Sequence, residues 1–227
     1  MTYDLFIGDR SFSSWSLRGW LMLEKFGLAH RTHMVGLYSG TMAQDIAHLA
    51  PARLVPVLRT PEGGIVGESL AMAETLAERH PDSGLWPDDP DARMRARWLC
   101  AEMASGFAAL RAQCPMQLLH VTTGFVASDA VLGDLARLQD LWQGAFEMAG
   151  RDDGWLFGAY SLADVFFAPV AARIIGYDLP VAEQAHAYCL RTLQDPAFCA
   201  WRAQGLEISY DPFPYPAGTG TRPWPIP

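Results

Sequence analysis

Apolar positions along the chain follow one regime before residue 80 and another after it. In the first, short apolar runs alternate with helical spacings. Tyr3 to Gly8 and Thr32 to Leu37 are brief apolar stretches that predict strands. Between them Leu17, Trp20, Leu21 and Leu28 recur at helical intervals, predicting a helix over 14–27 with Gly27 as its stop. A short helix is expected over 44–49. Ala50 to Thr60 and Ile65 to Gly67 flank the turn Pro61-Glu62-Gly63-Gly64, which predicts an antiparallel strand pair. Leu70, Ala73, Leu76 and Ala77 share one face of a helix over 69–80. The order β-α-β-α-β-β-α gives a small α/β domain over residues 1–80.

The segment from Pro81 to Pro90 is dense in turn formers and acids and reads as a linker over 81–90. Residues 91–227 read as helical. Met94, Trp98, Met103, Phe107 and Leu110 are expected on one face, and Val131, Leu135, Leu138, Trp142 and Phe146 on another. Asp195-Pro196 predicts a helix start as cap and first residue. In Tyr160-Ser161-Leu162-Ala163-Asp164-Val165, Ser161 can cap a helix, Asp164 can reach back to it, and Tyr160 can staple onto Val165. The stretch from Asp211 to Pro227 is proline-rich and aperiodic, so an extended tail is expected, packed on the helices or dangling from them. The fold class is therefore α/β plus all-α, a sheet domain followed by a helical bundle.

Composition narrows the function classes. With 227 residues and 50% of them apolar, a sizeable core can form. A formal charge of -8 and no long basic run argue against nucleic acid. The oily run from Val165 to Ile175 is interrupted by Pro169 and Arg173 and is too short to cross a bilayer, and Met1 to Phe6 lacks the pattern of a secretory signal. Cys100, Cys114, Cys189 and Cys199 form no C-x-x-C pair and no metal-ligand spacing. Free thiols, no metal and a reducing, cytoplasmic setting are expected.

Three motifs carry a family resemblance over nearly the whole chain. Leu54-Val55-Pro56-Val57-Leu58 is similar to the V-P-x-L segment of the cytosolic glutathione transferases. Glu68-Ser69 is similar to their acid-serine pair, and Gly158 to Asp164 to their G-x-x-S/T-x-A-D box. In addition, Ser13-Ser14-Trp15-Ser16-Leu17-Arg18 resembles the S-S-C-S-x-R stretch of the zeta class, the maleylacetoacetate isomerases, with Trp15 standing where that class has its cysteine. The resemblance implies a thioredoxin-like first domain and a homodimer. It implies that a cis Val55–Pro56 bond pairs the chain with glutathione, that Glu68 and Ser69 hold its γ-glutamyl end, and that Ser13, with Ser14 as competitor, contacts the sulfur.

The chemistry suits those residue types. A free thiol with a pKa near 8.5 is only roughly 3% thiolate at pH 7, and lowering it by about two units stabilises the anion by roughly 2.7 kcal/mol. A hydroxyl donor at a helix N-terminus is placed to supply that. For Ser13, Ser14 and Ser16 the plain alternative is helix capping. Trp15, Met103 and Phe107 are candidates for the wall of an electrophile pocket, or core residues. Arg18 can meet a substrate carboxylate or simply be solvated at the surface. The family that the chain resembles usually has a polar side chain near Leu54, which implies that the glycine end of glutathione is held elsewhere, with Arg53, Gln44 and His48 as candidates. Gly67-Glu68-Ser69-Leu70-Ala71 approximates the nucleophile elbow of hydrolases, but no downstream parallel sheet exists to carry the acid and histidine. A non-catalytic ligand-binding or protein-interaction protein of the same fold is the remaining alternative.

Overall fold

All five residues of β1 (Tyr3–Ile7) are buried, and the sheet is built around this strand. The computed structural model describes residues 2–151, 153–207, 210–213 and 218–226. After β1 come α1 (Ser14–Glu24), β2 (His30–Met34), α2 (Met42–Asp45), β3 (Val57–Arg59), β4 (Ile65–Val66) and α3 (Ser69–Arg79). The sheet order is β2-β1-β3-β4; β2 runs parallel to β1, and β3 and β4 are antiparallel to their neighbours. The expected β-α-β-α-β-β-α order is present.

One strand differs in position. β2 begins at His30, opposite Tyr3, and ends at Met34, opposite Ile7, rather than running from 32 to 37. As an edge strand it adds to its backbone pairing the contacts of Arg31 and His33 with the Asp4 carboxylate of β1, at 3.1 and 2.9 Å, and its side chains are half-buried or exposed, so it carries little apolar signal. The apolar Val35 lies just past its end in a second small cluster with Phe6, Ile46, Leu49, Val55 and Val57.

The helical part comprises α4 (Pro90–Ser105), α5 (Ala108–Gln113), α6 (Asp129–Ala149), α7 (Leu162–Gly176), α8 (Glu183–Gln194) and α9 (Pro196–Gly205). Every residue of α7 is buried, as its near-continuous apolar sequence demands. It packs against α1, α4 and α8 and so links the sheet to the helices. Its start is the expected capping box: Asp164 accepts from the Ser161 N–H at 2.9 Å, and Ser161 Oγ accepts from the Ala163 N–H at 3.3 Å. Asp195 caps α9 through the Ala197 N–H at 2.9 Å. The α6 stripe Val131, Leu135, Leu138, Trp142 and Phe146 is buried as expected. Among the described residues no helix is long and apolar enough to cross a membrane.

The face assigned to Met94, Trp98, Met103, Phe107 and Leu110 requires correction. α4 buries Ala96, Leu99, Cys100 and Met103, while Met94 and Trp98 are 65% and 50% exposed. Met94 and Ala96 are two residues apart, hence about 200° apart around the helix, so the buried stripe excludes Met94. Phe107, at φ 56°, breaks the chain between α4 and α5. Nor is the second half purely helical: β5 (Val121–Thr123) and β6 (Gly220–Arg222) form an antiparallel ribbon. Of the expected tail over 211–227, residues 214–217 and 227 lie outside the described residues. Trp224 and Ile226 are buried, so this end of the chain is packed rather than dangling.

Candidate functional site

The loop from β1 into α1 is held in place before any ligand arrives. The Asp9 carboxylate accepts the N–H groups of Ser11 and Phe12 at 2.8 and 3.1 Å. α9 grips the same loop: Ser11 donates its hydroxyl to Gly205 O at 2.7 Å, and the Trp201 indole donates to Arg10 O at 2.8 Å. Ser13 is the N-cap of α1. Its hydroxyl donates to Ser16 Oγ at 2.7 Å and accepts from the Ser16 N–H at 3.3 Å. Ser14, the first residue of the helix, accepts instead from Arg173 Nη2 at 3.4 Å.

These serines open onto a cleft of about 330 Å³ whose walls include Ser13, Ser14, Trp15, Val55 and Glu68. That volume lies in the range of small-molecule sites. Phe12, Leu37, Met42, Leu54 and Gly67 complete the lining, which is mostly apolar. The Val55–Pro56 peptide is cis, as is Ala50–Pro51. Because β3 begins at Val57, the backbone of Val55 and Pro56 lies beyond the ladder.

At the far wall, Glu68 is exposed at the N-cap position of α3 and makes no capping bond through its side chain. Ser69 follows, 1% exposed, and its hydroxyl has no hydrogen-bond partner among the described residues. A buried hydroxyl left unpaired beside free helix-terminal N–H groups is the donor set for a carboxylate. An ammonium group would complement the adjacent Glu68.

Residues assigned to this site from sequence separate into two groups. Ser13, Ser14, Trp15, Val55 and Glu68 line the cleft, and Pro56 and Ser69 adjoin it. Met103 and Phe107 do not line it; both are buried in the helical core. Arg18 is not on the surface either. It is 1% exposed, donates through Nε to Phe166 O at 3.1 Å, and lies over the rings of Trp15 and Phe166. Arg53, Gln44 and His48 are exposed, and none of them lines the cleft.

The helical part adds charges that sequence reading missed. Arg173 of α7 and Arg111 of α5 join Arg18 around Trp15, with the Arg111 guanidinium 4.4 Å from the Trp15 ring centre. Trp15, Arg111 and Arg173, with Ala108 and Ala112, line a neighbouring cleft of about 380 Å³. Among the described residues none of the three guanidinium groups is ion-paired with a carboxylate. Burial, with the neighbouring cations adding to it, holds Arg18 down to about 9, and burial likewise holds Arg173 down to about 10. Both remain charged at neutral pH. The available signal for Arg173 was a cation inside an otherwise apolar run; Arg111 gave none.

Known proteins bear on this geometry. Residues 12–79 match the family described as glutathione S-transferase, N-terminal domain. A maleylacetoacetate isomerase of Pseudomonas aeruginosa is 31% identical over 164 residues, which cover 70% of this chain and 76% of that protein. The chain belongs to the glutathione S-transferase family. Within it, the sequence lies near the zeta class. A probable maleylacetoacetate isomerase of Caenorhabditis elegans is 36% identical over 111 residues, 49% of this chain. The chain spans half the length of that relative and 64% of a rat maleylacetoacetate isomerase. The glutathione S-transferase fold is also that of a Burkholderia glutathione transferase homolog crystallised with bound glutathione. It is 24% identical, with a TM-score of 0.67 and coverage of 92% of this chain and 100% of that one. A sphingomonad glutathione S-transferase complexed with glutathione gives 23%, 0.64, 89% and 98%.

Proposed function

We propose that this chain is a glutathione-dependent enzyme that binds the tripeptide in the 330 Å³ cleft, activates its thiol and presents the sulfur to a small electrophile. The observation that carries the reading is the unpaired, buried Ser69 hydroxyl beside Glu68 at the start of α3. Glutathione's γ-glutamyl end brings one ammonium and one carboxylate, the two charges that Glu68 and the α3 terminus complement. Val55 and Pro56, free of the ladder, offer backbone groups along which a peptide adds as a short strand.

Either serine at the start of α1 is close enough to the cleft to serve the sulfur. The Ser13 proton is engaged by Ser16, whereas Ser14 accepts from Arg173 and keeps its own proton to donate, which favours Ser14. Lowering the thiol pKa is the task of that donor together with the helix N-terminus. The relatives' activity points to isomerisation of an electrophile carrying a conjugated double bond. There the thiolate adds to carbon, the adduct rotates about what has become a single bond, and elimination returns the thiolate unchanged. Transferase chemistry stops at the adduct. The cytoplasm, where glutathione is abundant and the chain's cysteines stay reduced, suits both. The exposed Met94 and Trp98 on α4 support a homodimer.

Calorimetric titration with glutathione tests the binding, with uptake at millimolar ligand expected and its absence overturning the proposal. Thiol consumption then separates the two chemistries. Turnover of maleylacetoacetate without loss of thiol means isomerase, and loss of thiol with chlorodinitrobenzene means transferase.

A further inference from the structure

We propose that Tyr210 and Phe213, in the chain beyond α9, are positioning residues for the glutathione cleft: they clamp Asp9 and Phe12 and so preset the stretch of wall that Phe12 forms. This rests on the reading that the cleft binds glutathione. Asp9 lies between β1 and α1 and is 6% exposed. Its Oδ1 accepts the N–H groups of Ser11 and Phe12 at 2.8 and 3.1 Å, which shapes the loop from within. Its Oδ2 accepts from the Tyr210 hydroxyl, 201 residues away, which ties the same carboxylate to the far end of the chain.

Ring contacts complete the clamp. Phe12, 4% exposed, meets Phe213 edge-on with 5.3 Å between ring centres and Tyr210 with 5.9 Å. Tyr38, in the connection from β2 to α2, stands nearly perpendicular to both Phe12 and Phe213, at 6.1 and 6.0 Å. At such separations and angles the edge of one aromatic ring attracts the face of another. Phe12 and Leu37 line the 330 Å³ cleft, and Leu37 also lines a second cleft of about 590 Å³ with Asp9, Tyr38 and Tyr210. The clamp therefore backs the wall of the first cleft.

The chain end is also fastened further on, where β6 pairs with β5, Trp224 and Ile226 are buried, and Arg202 donates to Leu118 O at 2.9 Å and to Ile226 O at 3.4 Å. α9 holds the loop between β1 and α1 independently, through Ser11 and the Arg10 carbonyl. The fold thus keeps this loop without Tyr210 and Phe213, and what those two add is confined to Asp9 and Phe12, on the side that meets the ligand. A wall fixed in advance spares the ligand the cost of ordering it, about two- to tenfold in affinity for each side chain immobilised. By reciprocity, bound glutathione tightens the clamp by the same factor that the clamp tightens glutathione.

The test reads glutathione affinity by calorimetry on the full chain, and the rate at which chymotrypsin cuts after Tyr210 and Phe213 with and without glutathione. In the unaltered chain, saturating glutathione should slow that cleavage by about tenfold, because only the released clamp is cut. Tyr210→Ala combined with Phe213→Ala should weaken glutathione by about tenfold, and Tyr210→Phe, which keeps the ring, by about threefold. In the Asp9→Ala background the Tyr210→Phe effect should vanish. A chain end that served stability alone would move neither the affinity nor the response of cleavage to glutathione.

An affinity that ignores the paired alanine changes, cleavage that ignores glutathione, or a Tyr210→Phe effect that survives Asp9→Ala overturns the inference and leaves glutathione binding intact. Failure of the unaltered chain to take up glutathione overturns both. Should a variant not fold, cleavage of the unaltered chain decides alone: glutathione must slow it, and an unchanged rate overturns the proposal.

Discussion

Ser13 and Ser14 are adjacent in sequence but serve different partners: the Ser13 hydroxyl closes the first turn of α1 onto Ser16, and the Ser14 hydroxyl meets Arg173 from the other half of the chain. Ser13→Ala therefore removes an N-cap and is expected to cost about 1 kcal/mol of stability in urea unfolding. Ser14→Ala is expected to leave stability nearly unchanged and to lower kcat/KM by about 100-fold, the usual consequence of deleting one donor to a developing anion. Equal kinetic losses in the two variants would mean that the serines share the work.

Gly19 of α1 lies against Pro56. A Cβ at position 19 would stand 2.8 Å from Pro56 Cβ and 3.0 Å from its Cγ, too close for either ring or helix to accept without moving. Gly19→Ala is expected to destabilise the chain by about 1–3 kcal/mol. Because the displaced segment carries Val55, glutathione affinity should fall as well. Calorimetry on a folded Gly19→Ala protein with undiminished affinity would show that this contact does not set the site.

Asp164 is buried and accepts hydrogen bonds from the Leu156 and Ser161 N–H groups and from the Tyr188 hydroxyl. Burial outweighs those bonds and lifts its carboxyl from an ordinary 3.8 to about 6. Between pH 4 and pH 6 the folded chain thus holds a proton that the unfolded chain has released, and this group's contribution to stability declines as pH rises through that window. Asp164→Asn should cost about 1–3 kcal/mol, because its amide turns a donor toward donors. The gap between the two proteins in denaturant unfolding should be wider at pH 5 than at pH 7.

Met94 and Trp98 stand one turn apart on the outer side of α4. If a second copy covers them, Met94→Asp should convert a sedimenting dimer to a monomer without lowering the helical circular dichroism signal. A monomer in the unaltered chain would remove the homodimer from the proposed function.

How much of this was legible in the sequence depended on whether a local pattern or a distant partner decided the outcome. The Ser161 and Asp164 box, the Asp195-Pro196 start and the α6 stripe are local, and each stands where its pattern placed it. β2 is specified by its ladder with β1 and by polar contacts of Arg31 and His33 with the distant Asp4, not by an apolar pattern of its own, so it starts two residues before the apolar run that predicted it. On α4, large apolar residues lie on both the buried and the open side, and size alone misled the choice of face. The cleft-lining serines, Val55 and Glu68 follow motifs contiguous in sequence. Arg173 lies 159 residues from Ser14, and only the packing of α7 against α1 brings them together.

That packing has a further consequence. Tyr3, Leu5 and Ile7 of the sheet belong to one apolar cluster with Phe166, Phe167 and Ile174 of α7, with no seam between the halves. Heating should therefore melt the chain in a single cooperative calorimetric transition. A molecule gripping only the edge of the sheet would raise the melting temperature of helices it never touches.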